Sequence, residues 1–89
     1  MKKGNKDKGF ELQIIHPTSK DLFQVEWIDV KSPTGDFVIC YDHSPLVSII
    51  KDRSKIKYKK IIDQKIEHFD VYGGFIKVED SKVIIVVDI

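Results

Sequence analysis

The stretch Leu22-Phe23-Gln24-Val25-Glu26-Trp27-Ile28-Asp29-Val30-Lys31-Ser32-Pro33-Thr34-Gly35-Asp36-Phe37-Val38-Ile39 decides the fold. From about Leu22 to Val30 it has the composition of a strand, with Val25 and Trp27 on one parity and Ile28 and Val30 on the other. Successive side chains of a strand face opposite ways, so this switch predicts a bulge near Trp27. Ser32 to Asp36 is the strongest turn signal in the chain, because Pro33 pre-sets one backbone angle and Gly35 tolerates the left-handed region. Phe37 and Ile39 then alternate as the returning strand, which makes the stretch a hairpin.

The same period extends outward on both sides. Phe10, Leu12 and Ile14 alternate with Glu11 and Gln13 as a half-buried strand ending at Pro17, followed by a turn over Thr18 to Asp21. Asp42-His43-Ser44-Pro45 is a loop, and Leu46 to Ile50 a short strand. Ile56 and Tyr58 alternate with Lys55, Lys57 and Lys59 as an exposed-face strand. Tyr58 to Phe69 fits either period, since Tyr58, Ile62, Ile66 and Phe69 also satisfy helical spacing. Phe69 to Val71 and Ile76 to Val78 alternate around Gly73-Gly74, and a turn at Glu79 to Lys82 leads into Val83-Ile84-Ile85-Val86-Val87.

Ile and Val are abundant and Ala is absent, which favours pleated structure over helix. The expectation is an all-β fold, a small flattened β-sandwich or barrel of about 8–10 short strands with hairpins near Gly35, Gln64 and Ser81. A single domain is expected over residues 10–89, preceded by a disordered Lys-rich tail over residues 1–9.

Composition narrows the function. An 89-residue chain has room for one core only. Its 15 basic and 14 acidic side chains give a formal net charge of +1, without the basic excess of a nucleic-acid binder. Cys40 is the only cysteine, so no internal disulfide can form. The longest apolar run, Val83 to Val87, falls far short of the ~20 residues a membrane helix needs. Any membrane association is therefore expected to come through a partner.

Catalytic readings are weak. Asp42, His43 and Ser44 supply the residue types of a hydrolytic triad, but neighbours in extended chain point apart and cannot converge. His16 and His68 show no metal-ligand spacing. Gly73-Gly74 lacks the Lys-Ser/Thr and helix start of a phosphate loop, and fits a bulge or close backbone packing instead. The Lys51 to Lys60 cluster alternates with Ile56 and Tyr58 as a solvated sheet face. No catalytic, cofactor or metal site is expected. Val83 to Val87 is apolar on both parities, and a sandwich this small seldom covers both faces of an end strand, so something outside it must cover the outer face, and this points to a protein partner.

Two separated motifs add to that reading. Pro33-Thr34-Gly35-Asp36-Phe37-Val38-Ile39 with Tyr41-Asp42-His43-Ser44-Pro45-Leu46, and Val71-Tyr72-Gly73-Gly74-Phe75-Ile76-Lys77-Val78, resemble the amino-terminal domain of the epsilon (in mitochondria, delta) subunit of rotary ATP synthases. Phe23 and Val83 also fall where that pattern needs them, so the resemblance covers about residues 10–87. Asp36 stands where Glu is usual, and Asp42 replaces the Gly before His43, which puts the backbone path of that loop in question. The sequence stops at Ile89, where longer members continue into two carboxy-terminal helices.

The resemblance implies a non-catalytic central-stalk subunit of a proton- or sodium-translocating ATP synthase, coupling gamma-subunit rotation to the membrane rotor ring. It implies a ring interface at Ser32, Thr34, Gly35, Asp36 and Asp42, and a gamma interface at His43, Pro45, Leu46, Gly73, Gly74 and Val86. It places the protein peripherally, on the cytoplasmic face of a bacterial plasma membrane, with no cofactor. It also implies the short form, without nucleotide binding or a helix-extension brake. The rival reading is a free-standing β-sandwich adaptor that binds a protein or peptide by edge-strand addition.

Overall fold

The computed structural model describes residues 9–87. The Lys-rich tail over residues 1–8 and the last two residues of the domain lie outside the described residues. Gly9, read as part of the tail, belongs to the folded body: it is half-buried, and the Ile61 side chain fills the space its Cβ would take.

Eight strands and no helix make up the described residues. They are β1 (Phe10–Ile15), β2 (Lys20–Ser32), β3 (Gly35–Cys40), β4 (Leu46–Ile49), β5 (Ser54–Lys60), β6 (Ile66–Val71), β7 (Gly74–Glu79) and β8 (Lys82–Val87). They form one continuous sheet in the order β4-β7-β8-β1-β2-β5-β6, with β3 also paired to β2.

The long strand β2 turns this sheet into a sandwich. Its first half pairs with β1, and its second half pairs with β3 on the same edge and β5 on the other. The register slips between Val25 and Trp27, where the sequence switches parity. Glu26 is the inserted residue, so Val25, Ile28 and Val30 all face inward although their spacing is irregular. The bulge bends β2 over from one layer to the other. Strands β4, β7, β8, β1 and the start of β2 form one layer; β3, the rest of β2, β5 and β6 form the second. Sixteen buried apolar side chains from the two layers make one core, and the body is flattened to 38 × 27 × 20 Å.

Each hairpin has a local cause. Pro33 fixes a negative φ at the first loop position of β2–β3, which excludes the primed turns that suit strand twist. The unusual conformation passes to Gly35, at φ +153°. Ser32 is buried there, and its hydroxyl donates to the Gly35 carbonyl at 2.7 Å. The ambiguous segment from Tyr58 to Phe69 is a hairpin, not a helix, with Lys59 opposite Ile66. The Lys65 amide donates to Asp63 Oδ1 at 3.0 Å, and Gln64 takes the turn's left-handed position at φ +59°. That amide bond, helped by the Lys60 ammonium, holds the Asp63 carboxyl below its usual range.

Two expectations need correction. The first turn covers residues 16–19, because Lys20 and Asp21 are already paired with Ile15 and Ile14. The His16 amide closes it on the Ser19 carbonyl at 2.8 Å. Strand β8 is not an end strand in space: it lies between β7 and β1, and its pairing with β1 is parallel. Val83, Ile85 and Val87 enter the core, and Ile84 and Val86 remain half-buried on the outer face.

Candidate docking face

Register alone defines an apolar row across the outer side of the larger layer. Ile49 lies opposite Phe75, Phe75 opposite Val86, and Val86 opposite Ile15. Residues directly opposite share a face, so these four side chains stand on one side of the sheet. The neighbouring row, Ser48, Ile76, Ile85 and Ile14, faces the core, and its three isoleucines are buried. Outside, Val47 is 68% exposed, Ile49 66% and Phe75 41%. A cluster of large apolar side chains left in water by a sandwich whose core is otherwise complete marks a contact surface.

Close packing of β7 on β8 supports this face. Gly74 stands at φ +145°, and a Cβ there would run into the Val86 carbonyl oxygen. The expectation of close backbone packing at Gly73-Gly74 is met at Gly74. The Gly74 carbonyl also accepts from the Ile50 amide at 3.1 Å, while Lys51 N–H donates to the Lys31 carbonyl at 2.7 Å. The connection after β4 is thereby tied to both layers.

The anticipated ring contacts separate into two groups. Thr34, Gly35 and Asp36 are exposed at the β2–β3 hairpin tip beside the buried Ser32, which offers no surface to a ring, and Asp36 pairs with Lys31 at 3.3 Å. Asp42 lies past the other end of β3, about 20 Å away at strand rise. The two carboxylates do not form one patch. Asp42 adopts φ +68°, the left-handed region that glycine takes without strain. The His43 amide donates to the Cys40 carbonyl at 3.2 Å, closing the turn.

The residues implied for a gamma contact also divide. Nδ1 of His43 is 2.7 Å from the Ser44 carbonyl, which can only accept, so Nδ1 carries the proton. Asp42, His43 and Ser44 therefore do not converge. Pro45 is exposed, but Leu46 lies opposite the buried Val78 and packs against the core. Its neighbour Val47 is the outward residue. Val86 lies in the apolar row itself.

The sequence singled out Val86 on this face but not Val47, Ile49, Phe75 or Ile15. The signal was present in the apolar residues on both parities of Leu46 to Ile50 and of Phe75 to Val78. Strand order was needed to place them side by side. Among the described residues no group of His, Cys, Asp and Glu could hold a metal ion, and no helix is long and apolar enough to cross a membrane.

Residues 9–89 match the family described as ATP synthase, Delta/Epsilon chain, beta-sandwich domain. An ATP synthase epsilon chain from Desulfitobacterium hafniense is 31% identical over 80 residues, which cover 89% of this chain and 58% of that one. Another, from Chlorobium limicola, is 32% identical over 84 residues, 92% of each chain. The fold also matches a chain in a solved central stalk and c-ring of the Tetrahymena thermophila mitochondrial ATP synthase, with a TM-score of 0.75 at 17% identity over 91% of this chain and 64% of that one. A chain of the Euglena gracilis mitochondrial ATP synthase gives a TM-score of 0.80 at 17% identity over 89% and 50%. Such low identities speak for the fold, and the sequence match carries the assignment: the chain belongs to the ATP synthase delta/epsilon family, as its β-sandwich domain.

Proposed function

We propose that this chain is the epsilon-type element of an ATP synthase central stalk, non-catalytic itself, which couples rotation of the gamma subunit to the membrane rotor ring. The apolar outer face of the larger layer carries the reading. A free adaptor using edge-strand addition would use one of the open edges, at β4 or β6, and would have no use for such a face. Here Val47, Ile49 and Phe75 are presented side by side on the outward face of β4 and β7. Gamma is the partner assigned to it, with Val86 and Ile15 at its half-buried margin.

The ring contact belongs to the hairpin end. Thr34 lies in the loop there and Gly35 and Asp36 are exposed at the first paired positions of β3, and an exposed carboxylate suits basic or polar ring loops. Each such rim pair contributes only ~0–1 kcal/mol, so apolar burial against gamma provides most of the attachment. Asp42, His43 and Pro45 stand at the opposite end, above the start of β4, and are assigned to the gamma side. The two-layer sandwich, tied at β2 and at Lys31–Lys51, supplies the stiffness that torque transfer needs. In this role the protein sits peripherally on the cytoplasmic face of a bacterial membrane, held there by the complex alone.

The test is capture of purified gamma subunit by the wild-type chain and by Ile49→Asp. A charge at a position that is two-thirds exposed leaves the fold intact but obstructs apolar burial. The expected result is a loss of affinity of about tenfold or more with an unchanged circular dichroism spectrum. Equal capture of gamma by both proteins would remove the assignment of this face.

A further inference from the structure

Between the two layers, where β1, β6 and β8 end, lies an open cavity of about 220 Å³ that the docking face does not use. Its apolar walls include Ile14, Phe23, Tyr58, Phe69, Val71 and Val87. An apolar cavity of about 150 Å³ can hold benzene, so this one has room for a six-membered ring with a short chain. The rings are already in aromatic contact: Phe23 and Tyr58 have centroids 5.2 Å apart, and Tyr58 and Phe69 6.2 Å apart near edge-on. Tyr58 is 7% exposed, and its hydroxyl makes no hydrogen bond among the described residues.

The mouth carries two carboxylates. Asp21 and Asp70 both border the cavity. His16 holds Oδ2 of Asp21 at 3.1 Å, and Lys55 holds Oδ1 of Asp70 at 3.0 Å. The second oxygen of each carboxylate is unbonded among the described residues. Burial, reinforced by Glu67 and Asp21 and opposed by Lys60, pushes the Tyr58 phenol above its usual range. Negative charge is thus disfavoured inside, while ring faces and free carboxylate oxygens favour positive charge. Phe23 already has one cation nearby, with Lys60 Nζ 5.9 Å from its centroid.

We propose that this cavity is a binding site for a small arylalkyl ammonium. The aromatic ring enters among Phe23, Tyr58 and Phe69, and the ammonium stays at the mouth between the free oxygens of Asp21 and Asp70. The site is independent of the coupling role, because none of its walls is assigned to gamma or to the ring.

Methyl NMR on the full chain tests this, with phenethylamine, ethylbenzene and phenylacetate as probes. Saturable shifts at Ile14, Val71 and Val87 are expected, with phenethylamine about tenfold tighter than ethylbenzene and phenylacetate weakest. The double variant Asp21→Asn with Asp70→Asn should bring the amine down to the affinity of ethylbenzene. Val71→Phe should fill the cavity and abolish binding; Val87→Leu, a milder intrusion, should weaken it with folding retained. Equal affinity for amine and neutral probe overturns the cationic preference. The site itself is overturned if no probe saturates, or if the shifts fall at Val47 and Ile49 instead.

Discussion

At the scale of single residues, the backbone accounts for positions that composition alone leaves open. Gly74 combines φ +145° with the Val86 carbonyl packed where a Cβ would stand. Gly74→Ala should therefore cost about 3 kcal/mol or more in urea unfolding, in the range reserved for a forced backbone shift. Ser81 is the reverse case, a non-glycine residue at φ +56° in the β7–β8 turn. A left-handed L-residue costs about 1–2 kcal/mol, and glycine returns part of that gain through unfolded-state entropy. Ser81→Gly should stabilise by roughly 0.5–1 kcal/mol and raise the melting temperature by about 4 °C. Tyr58 gives a pH signature. Its phenol is raised above 10.0, chiefly by burial and then by Glu67. The unfolded chain loses this proton first, so stability is full below pH 10.0 and falls as the pH rises toward the folded-state value. In Tyr58→Phe the alkaline decline measured by denaturant titration should be shallower.

At the scale of elements, β4, β7 and β8 show what a strand sequence can and cannot disclose. Alternation, turn residues and the parity switch at Trp27 made the strands, the three hairpins and the bulge legible, because each depends on neighbours in sequence. The order of strands was not legible, since the parallel pairing of β1 with β8 joins the two ends of the chain. Without that order Val83 to Val87 reads as an end strand, and Ile15, Ile49 and Phe75 cannot be placed in one row with Val86. Period also failed from Tyr58 to Phe69, where the turn at Asp63-Gln64-Lys65 decided between two equal patterns. The two faces of the layer make a direct test. Ile85 is fully buried and Ile49 is 66% exposed. Ile85→Ala should cost about 2–5 kcal/mol, and Ile49→Ala less than about 0.5 kcal/mol, by urea unfolding. Similar costs at the two positions would mean that the outward face is misassigned.

At the scale of the whole molecule, the two proposed contacts, a carboxylate at the exposed hairpin tip and an apolar row on a sheet face, rest on two kinds of physics. The proposed hairpin contact is electrostatic and exposed, so it should fade as salt shortens the Debye length from about 8 Å at physiological ionic strength to about 3 Å at 1 M. The proposed face contact is apolar burial, which salt does not screen. Asp36→Lys removes the exposed pair with Lys31, which costs the isolated fold little. In an assembled complex it should weaken ring attachment at low salt, and the difference from wild type should shrink as salt rises. Binding to gamma should be unaffected. Ile49→Asp should weaken binding to gamma by a similar factor at every salt concentration. The check is to measure both variants against both partners across a salt series. Asp36→Lys leaving ring attachment unchanged at low salt would remove the hairpin assignment, and a shared salt dependence in the two variants would collapse the two surfaces into one.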